Sequence, residues 1–214
     1  MIKVVLQLLE GMGSTVAIFV CTLALSLPLG LGVAMCRMSK FKPLAWLTKI
    51  YISIMRGTPL ILQIVVVYFG PYYIFRIPIS LAYQFPAVII AFTINYAAYF
   101  AEIYRGGIES ISKGQYEAAQ VLGYTKAQTF FKIILPQVIK RVLPPVTNET
   151  ITLVKDTSIA YAISFAEMFT VARELAAAQT NFMILFVAGL FYYIFNYIVA
   201  FGMEKLEKCF AYYR

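Results

Sequence analysis

Four stretches of the sequence contain no charged residue and are each long enough to cross a lipid bilayer. They are residues 11–36, 57–75, 77–101 and 175–203. A helix needs roughly 20 apolar residues to span about 30 Å of hydrocarbon. A water-soluble domain would have to expose many of these side chains, because 61% of the residues are hydrophobic and only 13% are charged. The sequence therefore predicts an integral membrane protein built from helices.

A fifth apolar stretch carries ionisable side chains and is also predicted to cross the membrane. It contains Glu149, Lys155 and Asp156, and we expect Pro144 and Pro145 to break its helix locally. The predicted fold is therefore all-α: one polytopic membrane domain over residues 1–214, with a cytoplasmic coupling helix. Its five transmembrane helices cover about 13–36, 57–75, 79–101, 138–165 and 178–203, and its long cytoplasmic loop covers about 102–137.

The distribution of basic residues predicts the orientation. All but four of the 18 lysines and arginines fall on one side of this topology, and the exceptions are Lys3, Arg76, Lys155 and Arg173. The positive-inside rule then places the N-terminus outside and the C-terminus, Arg214 included, in the cytoplasm of a cell (inner) membrane. The basic residues lie between apolar runs and form no stripe, so we expect no nucleic-acid partner.

The loop over about 102–137 is far longer than an ordinary connection, so we expect it to be folded and functional. Within it, Tyr116, Ala119 and Leu122 recur at near-helical spacing, and Gly123 follows. This pattern predicts a short helix that ends at the glycine. Its rigid, alanine-rich surface would suit a groove on a cytoplasmic partner. The alternative is a solvated helical turn between two spans.

The same loop resembles a known family. Glu117-Ala118-Ala119, then Gly123, then Ile133 and Leu135-Pro136 reproduce the EAA pattern of permease subunits of ATP-binding-cassette (ABC) importers. Three further stretches are similar to the branch that takes up polar amino acids, and the resemblance covers roughly residues 10 to 210. They are Arg56-Gly57-Thr58-Pro59-Leu60, Glu102-Ile103-Tyr104-Arg105-Gly106-Gly107-Ile108 and Lys155-Asp156-Thr157-Ser158.

The resemblance implies the partners. A permease of this family pairs with a second permease copy, two ATP-hydrolysing subunits and an extracytoplasmic solute-binding protein. The chain itself lacks the G-x-x-x-x-G-K-[ST] pattern of a phosphate-binding loop, so we expect a transport subunit without enzymatic activity or cofactor, with ATP and Mg²⁺ on the partner. The resemblance assigns contact with the ATPase subunit to Tyr116, Glu117, Ala118, Ala119, Leu122 and Gly123.

Polar residues inside the spans are the candidates for substrate binding, because an ionisable group in hydrocarbon is costly. Glu149 lies about 20 Å along a helix from Pro136, near mid-membrane, and shares a helix face with Thr152 and Asp156. Asn148 beside it and Asn95 in the third span complete the predicted site. An unpaired carboxylate here would suit the ammonium or guanidinium group of a basic amino acid.

Other interpretations of these residues stay open. Glu149 could instead pair with a basic side chain of another helix, or be protonated, and Asp156 could be structural. An ion-coupled secondary amino-acid carrier would use Glu149 or Asp156 as a proton or sodium relay. A membrane anchor that recruits a cytosolic protein would need only the loop. We expect alternating access driven by ATP hydrolysis on a separate subunit, with the spans of two permease copies enclosing the pathway.

Overall fold

The computed structural model describes residues 2–210, with only the backbone described for Ile2. Its regular elements, within that range, are all helical, as predicted. Arg214 lies outside the described residues. The α-helices are α1 (Ile2–Arg37), α2 (Lys42–Gly57), α3 (Leu60–Phe75), α4 (Gln84–Glu109), α5 (Lys113–Val121), α6 (Lys126–Thr129), α7 (Leu135–Asp156), α8 (Met168–Ala178) and α9 (Met183–Cys209). A π-helical turn over Phe130–Ile134 precedes α7, and 3₁₀ turns cover Leu81–Tyr83 and Thr157–Ile163.

Helix α4 lies at the centre of the molecule and packs against α1, α2, α3 and α7. Its Phe92, Tyr96 and Phe100 are among the largest fully buried side chains. The backbones of α1 and α4 approach closely at Gly30, where an added Cβ would lie 2.8 Å from the Cβ of Phe100. A glycine is required there because any side chain would push the two helices apart.

A second apolar cluster joins the first half of α1 to α8 and α9. It is built around Leu8, Met168 and Ile184. Gly11 allows α1 to touch the start of α8, because a Cβ at this position would lie 2.8 Å from the Cα of Met168. The first and last long helices are thereby tied together through the short helix α8.

Among the described residues, three helices are long and apolar enough to cross a membrane: Lys3–Arg37, Leu81–Glu109 and Met183–Cys209. Helices α2 and α3 satisfy the same criterion together but are bent by 109°, so the number is up to four if they form one span. Helix α7 contains too many charged residues to satisfy it. The five spans predicted from the sequence therefore stay a prediction. The charged residues of α7 are Lys140, Arg141, Glu149, Lys155 and Asp156.

The helices differ from the predicted segments in several places. Helix α1 begins at Ile2, well before the expected start of the first span, and α4 continues to Glu109, into the predicted loop. Residues 42–56, assigned to a cytoplasmic connection, lie in α2. The expected break at Pro144 and Pro145 was wrong, because α7 is continuous through both. Its packing against α4 and α9 supports the helix where the prolines remove backbone donors.

Candidate functional site

The two carboxylates of α7 point toward the same side of the helix but have different surroundings. Asp156 is half-buried and accepts a hydrogen bond from the hydroxyl of Tyr96, at 2.8 Å. Tyr96 is buried on α4, so this bond fixes the end of α7 to the centre of the fold. Glu149, two helical turns earlier, is also half-buried. Within residues 2–210, no group lies within hydrogen-bond or ion-pair distance of its carboxylate.

The remaining predicted residues of α7 lie beside Glu149 on the open side of the helix. Asn148 is exposed, and the hydroxyl of half-exposed Thr152 donates to the Asn148 carbonyl at 2.9 Å. Lys155 is exposed on the same side. The helix therefore presents a polar surface along its length, as the spacing of these residues predicted.

Asn95 is buried and its amide group is used within the protein. It donates to the Met55 carbonyl and to Oε1 of Gln63, each at 3.0 Å. The Gln63 amide in turn donates to the Met55 carbonyl at 3.0 Å and to the Thr58 hydroxyl at 2.8 Å. These bonds hold the sharp corner between α2 and α3. No hydrogen bond joins Asn95 to either carboxylate of α7 in the described part of the chain.

Arg56, at the end of α2, lies close to this corner. Its guanidinium group stacks on the ring of Tyr99, 5.3 Å from the ring centroid. It forms no ion pair with any carboxylate of residues 2–210. A delocalised cation on an aromatic face needs no carboxylate partner to be held in place.

Sequence reasoning did not single out Glu167, which is completely buried. It caps α8 by accepting from the backbone N–H groups of Phe169 at 2.8 Å and Thr170 at 2.7 Å. It also accepts from the hydroxyl groups of Tyr192 at 2.8 Å and Thr15 at 3.4 Å. An acid directly before an apolar helix is a capping signal, and this was the signal available in the sequence. Glu167 joins α1, α8 and α9 and has a structural role.

The short cytoplasmic helix predicted before Gly123 is present as α5. Gly123 has a φ of +75°, the left-handed conformation that ends a helix and that glycine adopts without strain. The N–H of Tyr124 donates back to the Ala119 carbonyl at 3.0 Å, which closes the turn. Of the predicted coupling residues, Ala119 is buried against its own loop, and the others are exposed. The exposed ones are Tyr116, Glu117, Ala118, Leu122 and Gly123.

The end of this helix is an exposed apolar surface. The exposed fraction is 87% for Val121 and 73% for Leu122. The chain then continues into α6, which begins with a capping box between Thr125 and Gln128. This box fixes the direction in which the chain leaves the turn. Helix α5 is thereby a rigid projection with an apolar tip.

A family model matches residues 26–210; it is described as the binding-protein-dependent transport system inner membrane component. Curated relatives are similar over almost the whole chain. The arginine transport system permease protein ArtQ of Bacillus subtilis is 38% identical over 202 residues, covering 94% of this chain and 91% of that protein. The L-cystine transport system permease protein TcyB of Bacillus subtilis is 34% identical, covering 92% of this chain and 84% of that protein.

Solved structures show the same fold. A chain of an amino acid ABC transporter with histidines superposes with a TM-score of 0.88 and 31% identity, covering 97% of this chain and 96% of that one. A chain of the MetNI methionine ABC transporter superposes with a TM-score of 0.72 at 19% identity, covering the same shares, which shows the fold alone. With the model match over residues 26–210, these similarities show that the chain belongs to the family of binding-protein-dependent transport system inner membrane components.

Proposed function

We propose that this chain is the permease subunit of an ABC importer that moves polar, preferably basic, amino acids into the cell. Family membership supports the permease role, and the relatives are named for arginine, cystine and glutamine transport. Family membership also argues against a self-contained ion-coupled carrier. The observation that carries the preference for a basic substrate is the unpaired carboxylate of Glu149 on the polar side of α7.

The partner on the cytoplasmic side is an ATP-hydrolysing subunit. The apolar tip at Val121 and Leu122 is exposed outside the predicted spans, and it suits a cleft on another protein. A rigid helix seated in such a cleft would move when the ATPase subunits close. We place ATP and Mg²⁺ on that partner, in two copies per importer.

A second permease copy covers the polar side of α7 in this proposal. Asn148 and Lys155 are exposed in a segment predicted to lie in the membrane. A lysine facing lipid near the bilayer centre costs about 3 kcal/mol, so this side is better turned toward a partner or a water-filled pathway. Two identical chains facing each other through α7 would enclose a pathway lined by Asn148, Glu149, Thr152 and Asp156. Nucleotide binding would switch its opening between the two sides.

On the outer side, an extracytoplasmic solute-binding protein would deliver the amino acid. This assignment follows from the family description and from the orientation proposed here, with the N-terminus outside and the C-terminus in the cytoplasm. In that orientation, α8 and the start of α1 lie on the outer side. The polar side of α7 would receive the substrate from there.

The two carboxylates would then have different tasks. Glu149 has no partner among the described residues and would be free to bind the cationic group of the substrate, whereas Asp156 is already held by Tyr96. A charge-assisted hydrogen bond to a buried carboxylate contributes about 1.5–3 kcal/mol, which corresponds to roughly tenfold or more in affinity. Basic amino acids would therefore be favoured over neutral ones of similar size.

The test is uptake by the complete importer in proteoliposomes, with the solute-binding protein present. Glu149→Gln removes the charge but keeps the shape, and we expect it to reduce arginine uptake about tenfold or more, with a smaller effect on glutamine uptake. Glu174→Gln, an equal change on the exposed surface of α8, is the matched control and should leave both rates unchanged. Equal losses for arginine and glutamine in Glu149→Gln would rule out recognition of the substrate's charge.

A further inference from the structure

Helix α2 turns sharply away from the direction of α3. It is bent by 109° relative to α3, and only Thr58 and Pro59 separate the two helices. Helix α3 occupies an apolar stretch predicted to cross the membrane. In that topology, a helix roughly perpendicular to α3 runs closer to the plane of the membrane than to its normal. The corner is not a loose joint, because Gln63 and Asn95 bind the carbonyl of Met55 at the end of α2.

One side of α2 is a basic stripe, although no such stripe was expected from the sequence. Lys42, Lys49 and Arg56 follow one another at seven-residue intervals, which is two helical turns, so the three side chains lie on one face. All three are exposed. No carboxylate in residues 2–210 lies within ion-pair distance of any of them.

A neighbouring side of α2 is apolar and equally uncovered. Leu44, Leu47 and Ile54 are exposed there, while Ile52 is buried against the rest of the protein. Trp46 lies between the basic and the apolar sides and is 62% exposed. A basic face, an apolar face and a tryptophan at the boundary are typical of a helix that lies in the membrane interface.

A cavity of about 350 Å³ opens beside the basic stripe. Lys49, Ser53 and Arg56 line it from α2, and Arg37 lines it from the end of α1. The acidic residue of its wall, Glu102, is already bound by the guanidinium group of Arg105 at 2.6 Å. The cavity therefore keeps an excess of positive charge at the level where α1 ends, and a phosphate group has the matching charge and size.

We propose that α2 lies in the cytoplasmic interface of the bilayer and that this basic cavity binds the headgroup of an anionic phospholipid. The adjoining apolar side favours a lipid over a soluble phosphate, because the acyl chains would cover Leu44, Leu47 and Ile54. The proposal rests on the orientation proposed above and does not depend on which amino acid is carried. Its test measures lipid contact, so it can fail while the transport function holds.

Trp46 is the single tryptophan of the chain and reports directly on this surface. The complete importer is placed in bilayers in which either phosphatidylglycerol or phosphatidylcholine carries brominated acyl chains, at equal mole fractions. The signal of Trp46 is the difference between the wild type and Trp46→Phe. We expect stronger quenching by brominated phosphatidylglycerol. In Lys42→Gln/Lys49→Gln this preference should fall by up to about fivefold for each lysine removed.

The control is Lys113→Gln/Lys126→Gln, which removes two exposed lysines from the cytoplasmic loop outside α2 and should keep the preference. Quenching by brominated phosphatidylcholine in the α2 variant verifies that the helix is still in place. Absence of quenching by either lipid in the wild type, or equal quenching by both, would overturn the proposal. So would an equal loss in the control, or loss of the preference when inorganic phosphate replaces chloride at constant ionic strength.

Discussion

At the scale of single residues, Glu149, Asp156 and Glu167 differ in the number of hydrogen-bond donors around their carboxylates. Glu167 is surrounded by backbone and hydroxyl donors, and Asp156 has the hydroxyl of Tyr96. Glu149 has none among the described residues. A buried carboxylate with a full set of donors stabilises the fold, whereas one without them is available to a ligand. The distinction separates the structural acids from the candidate for binding.

The structural assignment of Glu167 predicts a loss of stability. Glu167→Ala leaves the N–H groups of Phe169 and Thr170 and the hydroxyl of Tyr192 without their acceptor in a buried site. We expect the free energy of unfolding to fall by about 2–3 kcal/mol. Glu167→Gln keeps one acceptor oxygen and should lose less. Thermal unfolding of the purified complex in detergent measures this, with Glu174→Ala on the same helix as the control. An unchanged midpoint for Glu167→Ala would contradict the assignment.

Glu149 could be identified as a candidate from the sequence, whereas Glu167 could not. Glu149 interrupts an apolar run, so its cost in hydrocarbon identifies it without a structure. Glu167 comes directly before an apolar helix, where an acid is an ordinary cap, and its contacts with Thr15 and Tyr192 join residues far apart in the chain. For Asn95, the sequence predicted a place in the substrate site, but the groups that its amide binds depended on the position of the α2–α3 corner.

At the scale of elements, the coupling helix α5 ends as the sequence predicted. Its length and its stop at Gly123 follow from local spacing and from the conformational freedom of glycine, both of which are visible without tertiary contacts. Helix α2 was missed because charged residues between two apolar runs are typical of a solvated connection. Its amphipathic pattern indicates an interfacial helix only once the 109° corner with α3 is known. The continuous helix through Pro144 and Pro145 likewise depends on packing against neighbouring helices.

The left-handed conformation of Gly123 predicts a selective loss of coupling. Among the described residues, a Cβ added there meets no atom beyond its chain neighbours within 4 Å, so within this chain a substitution acts mainly through backbone strain. Gly123→Val should be inserted in the membrane at normal levels while transport-coupled ATP hydrolysis falls at least about tenfold, because a β-branched residue disfavours positive φ. Gly123→Asn, which tolerates this conformation, is the matched control and should retain most coupling. Normal ATP hydrolysis coupled to uptake in Gly123→Val would argue against a role for this turn.

At the scale of the whole molecule, the net charge of +8 is largely explained by topology. All but four basic residues fall on one predicted side, and the exposed basic stripe of α2 belongs to that side. The five spans predicted from the sequence are consistent with this distribution. Among the described residues, length and hydropathy alone identify three candidate spans, or four with the bent pair. Helix α7 is not among them because it carries polar and charged residues along the proposed pathway.

The proposed orientation can be tested with the natural cysteines. Cys209 is exposed at the end of α9, and Cys21 and Cys36 are partly buried in α1. In right-side-out vesicles, a membrane-impermeant thiol reagent should label Cys209 only after permeabilisation. A cysteine introduced at Lys3, in a variant without the natural cysteines, should be labelled in intact vesicles. Labelling of Cys209 in intact vesicles would show that the C-terminal end of α9 lies outside, and would contradict the proposed orientation.

The central claim is that this chain carries an amino acid across the membrane by coupling to a separate ATPase. Arginine uptake into proteoliposomes that contain the permease with its ATPase subunits, supplied with the solute-binding protein, tests it most directly when ATP and an ionophore are varied independently. We expect uptake that requires ATP on the cytoplasmic face and is unchanged by the ionophore. Uptake that proceeds without ATP and collapses when the ionophore dissipates the ion gradients would contradict it.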